Sequence, residues 1–436
     1  MTRNPESWGR YPQARPAEIR RLIDRNAPLP PTDLQRLVYG NGRSYGDVCL
    51  NDGGQVLLAR GLDRFIAFDQ ETGVLRAEAG VLLAEILDLV VPTGWFLPVT
   101  PGTCFVTLGG AVANDVHGKN HHRAGTFGHH VRAFELVRSD GSRRVCTPSD
   151  NADWFAATLG GLGLTGLITW VEIQLCAIDG PWIQAESRRF ADLAGFFRLS
   201  EEADRTHEFT VAWVDCAARG ANLGRGILLS GDFAPATAGS GQTPQAHGRL
   251  TVPLTPPFSL INRLSLTAFN ALYYRKPEGT FLTHYAPFFY PLDGIGNWNR
   301  IYGPKGFLQY QCVLPPATAE PALRDVLGRI AASGEGSFLA VLKRFGDKPS
   351  PGLLTFPRPG VTIALDFPFN GQNTLHLLDS LDVVVATAGG ALYPAKDARM
   401  SPEMFQRSFS MLEQLLPFID SGLSSRFWRR IMKKLE

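Results

Sequence analysis

Two segments of the chain carry residue types that could hold an extended anionic ligand. The first is Tyr39-Gly40-Asn41-Gly42-Arg43-Ser44-Tyr45-Gly46-Asp47, with three glycines in seven positions. Glycine lets successive backbone N–H groups converge on one anion as a nest. Arg43, Ser44 and Tyr45 add side-chain donors. Taken alone, the segment reads equally well as a surface turn, because Gly, Asn, Asp and Ser are turn formers. The second is Pro101-Gly102-Thr103, then Thr107-Leu108-Gly109-Gly110-Ala111-Val112-Ala113-Asn114-Asp115-Val116-His117-Gly118-Lys119-Asn120-His121-His122, and on to His130. Its small residues allow backbone to approach a flat ligand closely. Five of the nine histidines fall in the 14 positions from 117 to 130. Metal binding is the competing reading, but no H-E-x-x-H or carboxylate-rich pattern accompanies them and the glycines break helical spacing. Histidine serves equally as a hydrogen-bonding and acid/base group.

A third glycine cluster, Gly161-Leu-Gly163-Leu-Thr-Gly166, matches the dinucleotide fingerprint literally. That fingerprint needs a strand before it and a helix after it, so that a pyrophosphate meets a helix N-terminus. Here residues 151–159 read as a helix and 167–175 as a strand. The order is reversed and the Rossmann reading fails, leaving a tight turn beside a ligand.

The elements that must position these segments follow from periodicity. Between 37 and 175, short β-rich runs (GQVLLA, RFIAFD, VLRAEAG, VRAFELVRSDG, RRVCTP, LITWVEIQL) alternate with glycine-rich turns. Helices are expected at 83–91 and at 151–159, the latter capped by Ser149 or Asp150. From 182 to 367, FTVAWVDC, GFLQYQCVLP, FLAVLKRFG and GVTIALDFP are expected strands. Residues 317–333 and 374–388 are expected helices, with Asn373 capping the second. The pattern is α+β, with a second sheet covered on one side by helices. Residues 233–257 are rich in Gly, Pro, Ser and Thr and read as a long loop, leading into the apolar FSLINRLSLTAFNALYY.

These residues resemble the vanillyl-alcohol-oxidase-type flavoproteins, also called the p-cresol methylhydroxylase superfamily. Within it G-R-S-Y-G-D, A-x-D-x-H-G-K-N-H-H, W-N-R-x-Y-G-x-x-G-F-L-Q-Y-Q, D-F-P and A-K-D-x-R, running from Gly42 to Arg399, are similar to the decaprenylphosphoryl-β-D-ribose 2-oxidase group. The resemblance implies a two-lobed FAD-binding domain at 1–180, an antiparallel-sheet substrate domain at 181–385 and a segment at 386–436 that returns to the FAD domain. It places FAD on residues 38–48, Gly102, Thr107, Leu108, Gly109, Gly110, Asn114, Val116, His117, Ile168 and Tyr393. Many flavoproteins of this fold attach FAD through a histidine in the first turn. Arg43 stands there, and arginine cannot form that bond, so non-covalent FAD is expected. Gln309 and Gln311 alternate on one strand and face one side. With Lys343 and Lys396 they suit a sugar phosphate, the cations holding phosphate and the amides hydroxyls. Taken singly, each lysine reads as a solvated charge.

Two departures bear on the substrate. Ala364 stands where the family has cysteine, and Phe289 where a tyrosine is expected. The implied reaction is hydride removal from a secondary alcohol carbon, with Lys396 beside the flavin. Either His117 or Lys396 accepts the hydroxyl proton, and the sequence does not choose between them. The implied substrate is a sugar or polyprenyl-phosphate sugar, with a short-chain reductase as partner for the second step of an epimerisation. A soluble alditol or lactone oxidase, a non-catalytic envelope or scaffold protein and a metal hydrolase are the competing readings.

Composition bounds these readings. The chain has 436 residues, 44% hydrophobic, with a net charge of +2, which gives no electrostatic reason for a nucleic-acid partner. Six scattered cysteines form no C-x-x-C pair and read as free thiols in a reducing compartment. The N-terminus lacks an apolar signal-peptide core, so a cytoplasmic location is expected. Near the C-terminus Phe427, Trp428, Ile431, Met432 and Leu435 alternate with Arg426, Arg429, Arg430, Lys433 and Lys434. That pattern is a candidate membrane-surface helix, or a terminal helix docked on the body. With the apolar FSLINRLSLTAFNALYY, and given the polyprenyl substrate that the resemblance implies, it would set the pocket mouth at the inner face of a membrane; a core helix is the alternative for that segment.

Overall fold

The computed structural model describes residues 4–239 and 250–433. Part of the Gly/Pro-rich stretch, 240–249, lies outside the described residues, as do Lys434 and Leu435 of the C-terminal pattern. Strands Glu18–Arg21 and Arg36–Tyr39 each pair in parallel with Gln55–Leu58. A five-stranded antiparallel sheet follows in the order Phe65–Asp69, Val74–Glu78, Leu167–Gln174, Val131–Val137, Arg143–Cys146. Helices Leu83–Val90 and Leu108–Ala113 share a core with this sheet through Leu83, Ile86, Leu87, Leu108 and Val112. Fully burying each such side chain contributes about 1.5–3 kcal/mol. The mixture of helices with antiparallel sheets is α+β, as expected.

The larger sheet has eight strands, all antiparallel to their neighbours. Its order is Gly279–His284, Trp182–Phe190, Gly226–Phe233, Phe209–Val214, Ala340–Phe345, Gly360–Pro368, Phe307–Leu314, Ala391–Leu392. Successive strand residues point to opposite faces. Leu308, Tyr310, Cys312, Leu342, Ile363, Leu365 and Phe367 therefore pack in one core with helices Leu193–Thr206, Ala319–Ser333 and Gln372–Thr387. Their neighbours Gln309, Gln311, Val341, Lys343, Thr362, Ala364 and Asp366 line a cavity on the opposite face.

Two local expectations are corrected, and one stated alternative is decided. Helix Gln372–Thr387 starts after Gly371 (φ 70°) rather than at an Asn373 cap. Asn151, in the left-handed region, precedes helix Ala152–Thr158, while Ser149 and Asp150 donate their amides to Thr147 Oγ1. Helix Arg426–Met432 docks on the body: Phe427, Trp428 and Ile431 are buried, and Arg429 donates to Asn51 Oδ1 at 2.8 Å. Its apolar face is already covered, which removes it as a membrane-surface helix. Among the described residues no helix is long and apolar enough to cross a membrane.

Candidate active site

One cavity of about 1280 Å³ lies between the glycine-rich segments and the open face of the eight-stranded sheet. Small-molecule sites typically occupy roughly 300–1,000 Å³, so this one suits a larger or composite ligand set. Gly40, Asn41, Gly42, Arg43, Ser44 and Tyr45 line it, with Gly102, Thr107, Gly109, Gly110, Asn114, Val116, His117, Ile168 and Tyr393. Phe289, Gln309, Gln311, Lys343, Ala364 and Lys396 line it from the other side. The two glycine segments touch. Asn41 Nδ2 donates to the Phe105 carbonyl at 2.7 Å, and a Cβ on Gly40 would stand 2.4 Å from Thr107 Oγ1. Four expected cofactor residues are placed elsewhere. Tyr39 turns its hydroxyl to the Glu6 carbonyl, Leu108 is buried in the core, Gly46 backs onto the Asp397 carbonyl, and Asp47 is buried against Arg430.

The lining fits FAD by three observations. Among the described residues the amides of Asn41, Gly42, Arg43 and Ser44 donate to no protein acceptor, as an anion nest requires. A Cβ at Gly102 or Gly163 would meet nothing within 4 Å, and both line the cavity. Asn114 Oδ1 and His117 Nδ1 are buried with no protein partner, and an unpaired buried polar atom is costly unless a ligand meets it. Arg43 stacks its guanidinium 4.0 Å from the Trp8 ring centre, which pins it at the cavity wall. With arginine there, flavin should leave the protein on acid precipitation. Yellow colour in the supernatant is the expected outcome, and colour retained in the pellet would overturn non-covalent binding.

The opposite wall is cationic. Lys119, Lys343 and Lys396 are half-buried and line the cavity together. Burial pushes Lys343 down to about 7, with repulsion from Lys119 and Lys396 adding to it. Burial also pushes Lys119 down to about 8 and Lys396 down to about 8, the latter opposed by Asp366. Asp366 is fully buried, and burial raises it to about 7 against the bond it accepts from Gln309 Nε2. Lys396 Nζ lies 4.0 Å from the Tyr45 ring centre, and Tyr45 N–H donates to the Ala395 carbonyl at 3.0 Å. The cradle loop and the lysine loop are thus fixed to each other.

His117 is buried among Phe345, Phe356 and Tyr393. Burial first, then Lys343, His121 and Lys396, hold its pKa well below the ordinary histidine value, so the ring is neutral. Its Nε2 accepts from Gln311 Nε2 at 3.1 Å, which puts the proton on Nδ1. The other clustered histidines tie loops together. His121 Nδ1 accepts from Gly346 N–H, and His122, His129 and His130 meet the carbonyls of His207, Pro349 and Ala124.

Sequence reasoning gave no role to Lys119 or Asp366, which line the cavity with Gly163 and Gly166 of the expected tight turn. Lys119 had a signal in its G-K-N setting. The turn of the discarded dinucleotide motif does border the ligand space, although its strand order excludes a Rossmann fold.

Residues 29–147 match the family model described as an FAD binding domain. The chain is 36% identical over 390 residues to the decaprenylphosphoryl-β-D-ribose oxidase of Mycolicibacterium smegmatis, covering 87% of this chain and 84% of that protein. Shorter matches reach the delta(24)-sterol reductase of Homo sapiens, 35% identical over 107 residues (24% of this chain, 21% of that one). The L-gulonolactone oxidase of Mus musculus is 31% identical over 139 residues, 31% of each chain. Identity sustained along nearly the whole of both chains, joined to a cavity whose lining fits a flavin dinucleotide, means that this chain belongs to the decaprenylphosphoryl-β-D-ribose oxidase family and is an FAD-dependent oxidoreductase.

Proposed function

We propose that the enzyme oxidises the C2 hydroxyl of a polyprenyl-phosphoryl ribose to the 2-keto sugar, the first half of an epimerisation that a separate reductase completes. The observation that carries this reading is the convergence of three lysines and two glutamines on the cavity wall opposite the glycine cradle. When bound, FAD supplies the hydride acceptor. Lys119 and Lys343 hold the phosphate; Lys119 is itself steadied by donating to the Phe289 carbonyl at 3.3 Å. Gln309 turns its NH₂ to Asp366, so its carbonyl oxygen is left to accept from a sugar hydroxyl. His117 Nε2 is occupied by Gln311, which leaves Lys396 Nζ to take the hydroxyl proton. Ala364 lies beside Gln311 and Val341 in the sheet register and leaves room rather than a reactive group there.

The test is anaerobic mixing of the yellow enzyme with a short-chain prenylphosphoryl ribose. Rapid loss of the flavin absorption band is expected. If a free alditol or sugar lactone bleached the flavin as efficiently, the soluble-oxidase reading would replace this one.

The lysines also set a pH dependence. The phosphodiester of a prenylphosphoryl sugar carries one negative charge and binds the protonated amines. With Lys343 at about 7 and Lys119 at about 8, both are charged below neutrality and lose charge as pH rises. Affinity for a prenyl phosphate should therefore fall steadily between roughly pH 6.5 and 9. Titration monitored by flavin fluorescence reads this directly, and a flat Kd across that window would remove the lysines from phosphate binding.

A further inference from the structure

His117 lines the cavity, whereas its clustered neighbours tie loops together. It is 7% exposed, and its Nδ1 has no partner among the described residues. A buried polar atom in that position is costly unless a ligand meets it, so which proton that nitrogen carries is a property of the site.

The ring sits in an aromatic cage. Its centre lies 4.9 Å from that of Phe345, 5.8 Å from Phe356 and 5.4 Å from Tyr393. Phe356 in turn stacks on Tyr393 at 4.6 Å. Phe356 is brought there by its neighbour Thr355, whose Oγ1 donates to Asp115 Oδ2 at 2.9 Å. Tyr393 is held by its N–H, which donates to the Gln311 carbonyl at 3.0 Å, and by its hydroxyl, which donates to the Asn114 carbonyl at 3.2 Å. Asp115 is fully buried with φ 39°, in the left-handed region that favours glycine. Backbone strain of that kind persists only where the surroundings over-determine it. The imidazole is therefore packed against a ring flip that would exchange its nitrogens.

Gln311 decides the tautomer. Its Nε2 donates to His117 Nε2 at 3.1 Å and to Oγ1 of the buried Thr362 at 3.2 Å. An amide NH₂ offers two protons and accepts none, so His117 Nε2 is the acceptor. A neutral imidazole that accepts at one nitrogen carries its proton on the other. Burial, together with Lys343, His121 and Lys396, disfavours the doubly protonated ring. The Gln311 amide oxygen is left to the cavity, whose wall carries Lys343 and Lys396. Reversing the amide would turn its NH₂ toward that cationic wall.

We propose that Gln311 is a positioning residue for the cofactor: by occupying His117 Nε2 it holds the histidine as a fixed Nδ1–H donor to the polar edge of the bound flavin ring. Reduction adds negative charge to that ring, so a donor already in place raises its midpoint potential. Gln311 stands on the substrate wall and acts on the flavin through His117. The inference rests on FAD binding alone and stands whichever sugar is oxidised.

Histidine ¹⁵N resonances of the FAD-loaded enzyme test it, with those of His117 assigned by their absence from His117→Asn. In the parent they should report a neutral ring protonated at Nδ1, unchanged between about pH 6 and 8. Gln311→Met keeps most of the volume and removes the donor. It should shift the resonances toward a mixture with the Nε2–H form and lower the flavin midpoint potential, read by dye-coupled reduction. Thr362→Val removes only the second anchor of Gln311 and should give both shifts in smaller measure; it serves if the methionine variant does not hold flavin. Gln309→Met, on the same strand without a bond to His117, should leave the His117 resonances in place. An Nε2–H ring in the parent would overturn the proposal, and so would parent-like resonances in Gln311→Met. A shifted tautomer with a parent-like potential would overturn it as well, because the Nδ1 proton would then face something other than the flavin ring.

Discussion

Lys396→Met should slow flavin reduction by substrate by about 100- to 10,000-fold, the range general-base groups contribute, while the protein stays yellow. The separation follows from placement. Lys396 stands on the wall shared with Gln309, Gln311 and Asp366, and its ammonium lies over the Tyr45 ring rather than in the amide nest at 41–44. Methionine keeps most of the volume and removes the amine. Burial lowers Lys396 to about 8, so a neutral fraction exists at working pH and can accept a proton. His117 cannot substitute, because its acceptor nitrogen already takes the Gln311 amide. Stopped-flow reduction reads the rate, and dye-free flavin content reads the cradle. Reduction at the parent rate would return the proton-acceptor role to another group.

Arg430→Met should destabilise the fold by about 3–5 kcal/mol, the cost of leaving buried charge without its partner. Arg430 bonds Asp47 at 2.8 and 3.0 Å and Asp397 at 2.8 Å, and both carboxylates are buried. Asp397 follows Lys396 directly, and Asp47 ends the cradle turn, so one guanidinium clamps both sides of the site. Burial raises the pKa of Asp47 and Arg430 lowers it. Without Arg430 the Asp47 carboxyl should protonate more readily, so the deficit relative to the parent is largest near neutrality and shrinks as pH falls through the carboxyl range. Denaturant unfolding at two pH values measures this, with flavin release as a second readout. An unchanged midpoint would show the clamp to be unnecessary. Arg430→Met/Asp47→Asn should recover part of the loss, because one of the stranded charges is gone.

The strands of the eight-stranded sheet that carry Gln309, Gln311, Lys343 and Ala364 were legible because apolar residues alternate with polar ones along them. Strands Trp182–Phe190 and Gly226–Phe233, farther along the same sheet, were not resolved as single elements. WIQAESRRF mixes five polar or charged residues into nine, and strands pair with it on both sides. Helix Leu193–Thr206 was missed despite a usable signal, the Asp192 cap that accepts from Gly195 N–H at 2.8 Å. The cradle was legible as two glycine-rich segments, but their contact depends on tertiary geometry 64 positions apart. Asp366 was invisible as a functional group because a carboxylate in a strand acquires its meaning only from the neighbours that bury it, Gln309 and Lys396 among them. The C-terminal pattern was ambiguous for the same reason: an amphipathic helix does not itself say whether protein or lipid meets its apolar side.

The Arg430 clamp also dictates an order of events during synthesis. Arg430 meets Asp47 across 383 positions of sequence. A nascent chain displays its glycine cradle early, yet neither Asp47 nor the Lys396 loop can be locked until helix Arg426–Met432 has cleared the ribosome. Contacts of such separation form slowly, since the loop-closure entropy is lost before the contact is gained. Flavin captured before then would sit in an open half-site and exchange freely. Cofactor retention is therefore set once Arg430 is in place, and a flavin supply present after that point should raise the yield of loaded enzyme more than one present only before it.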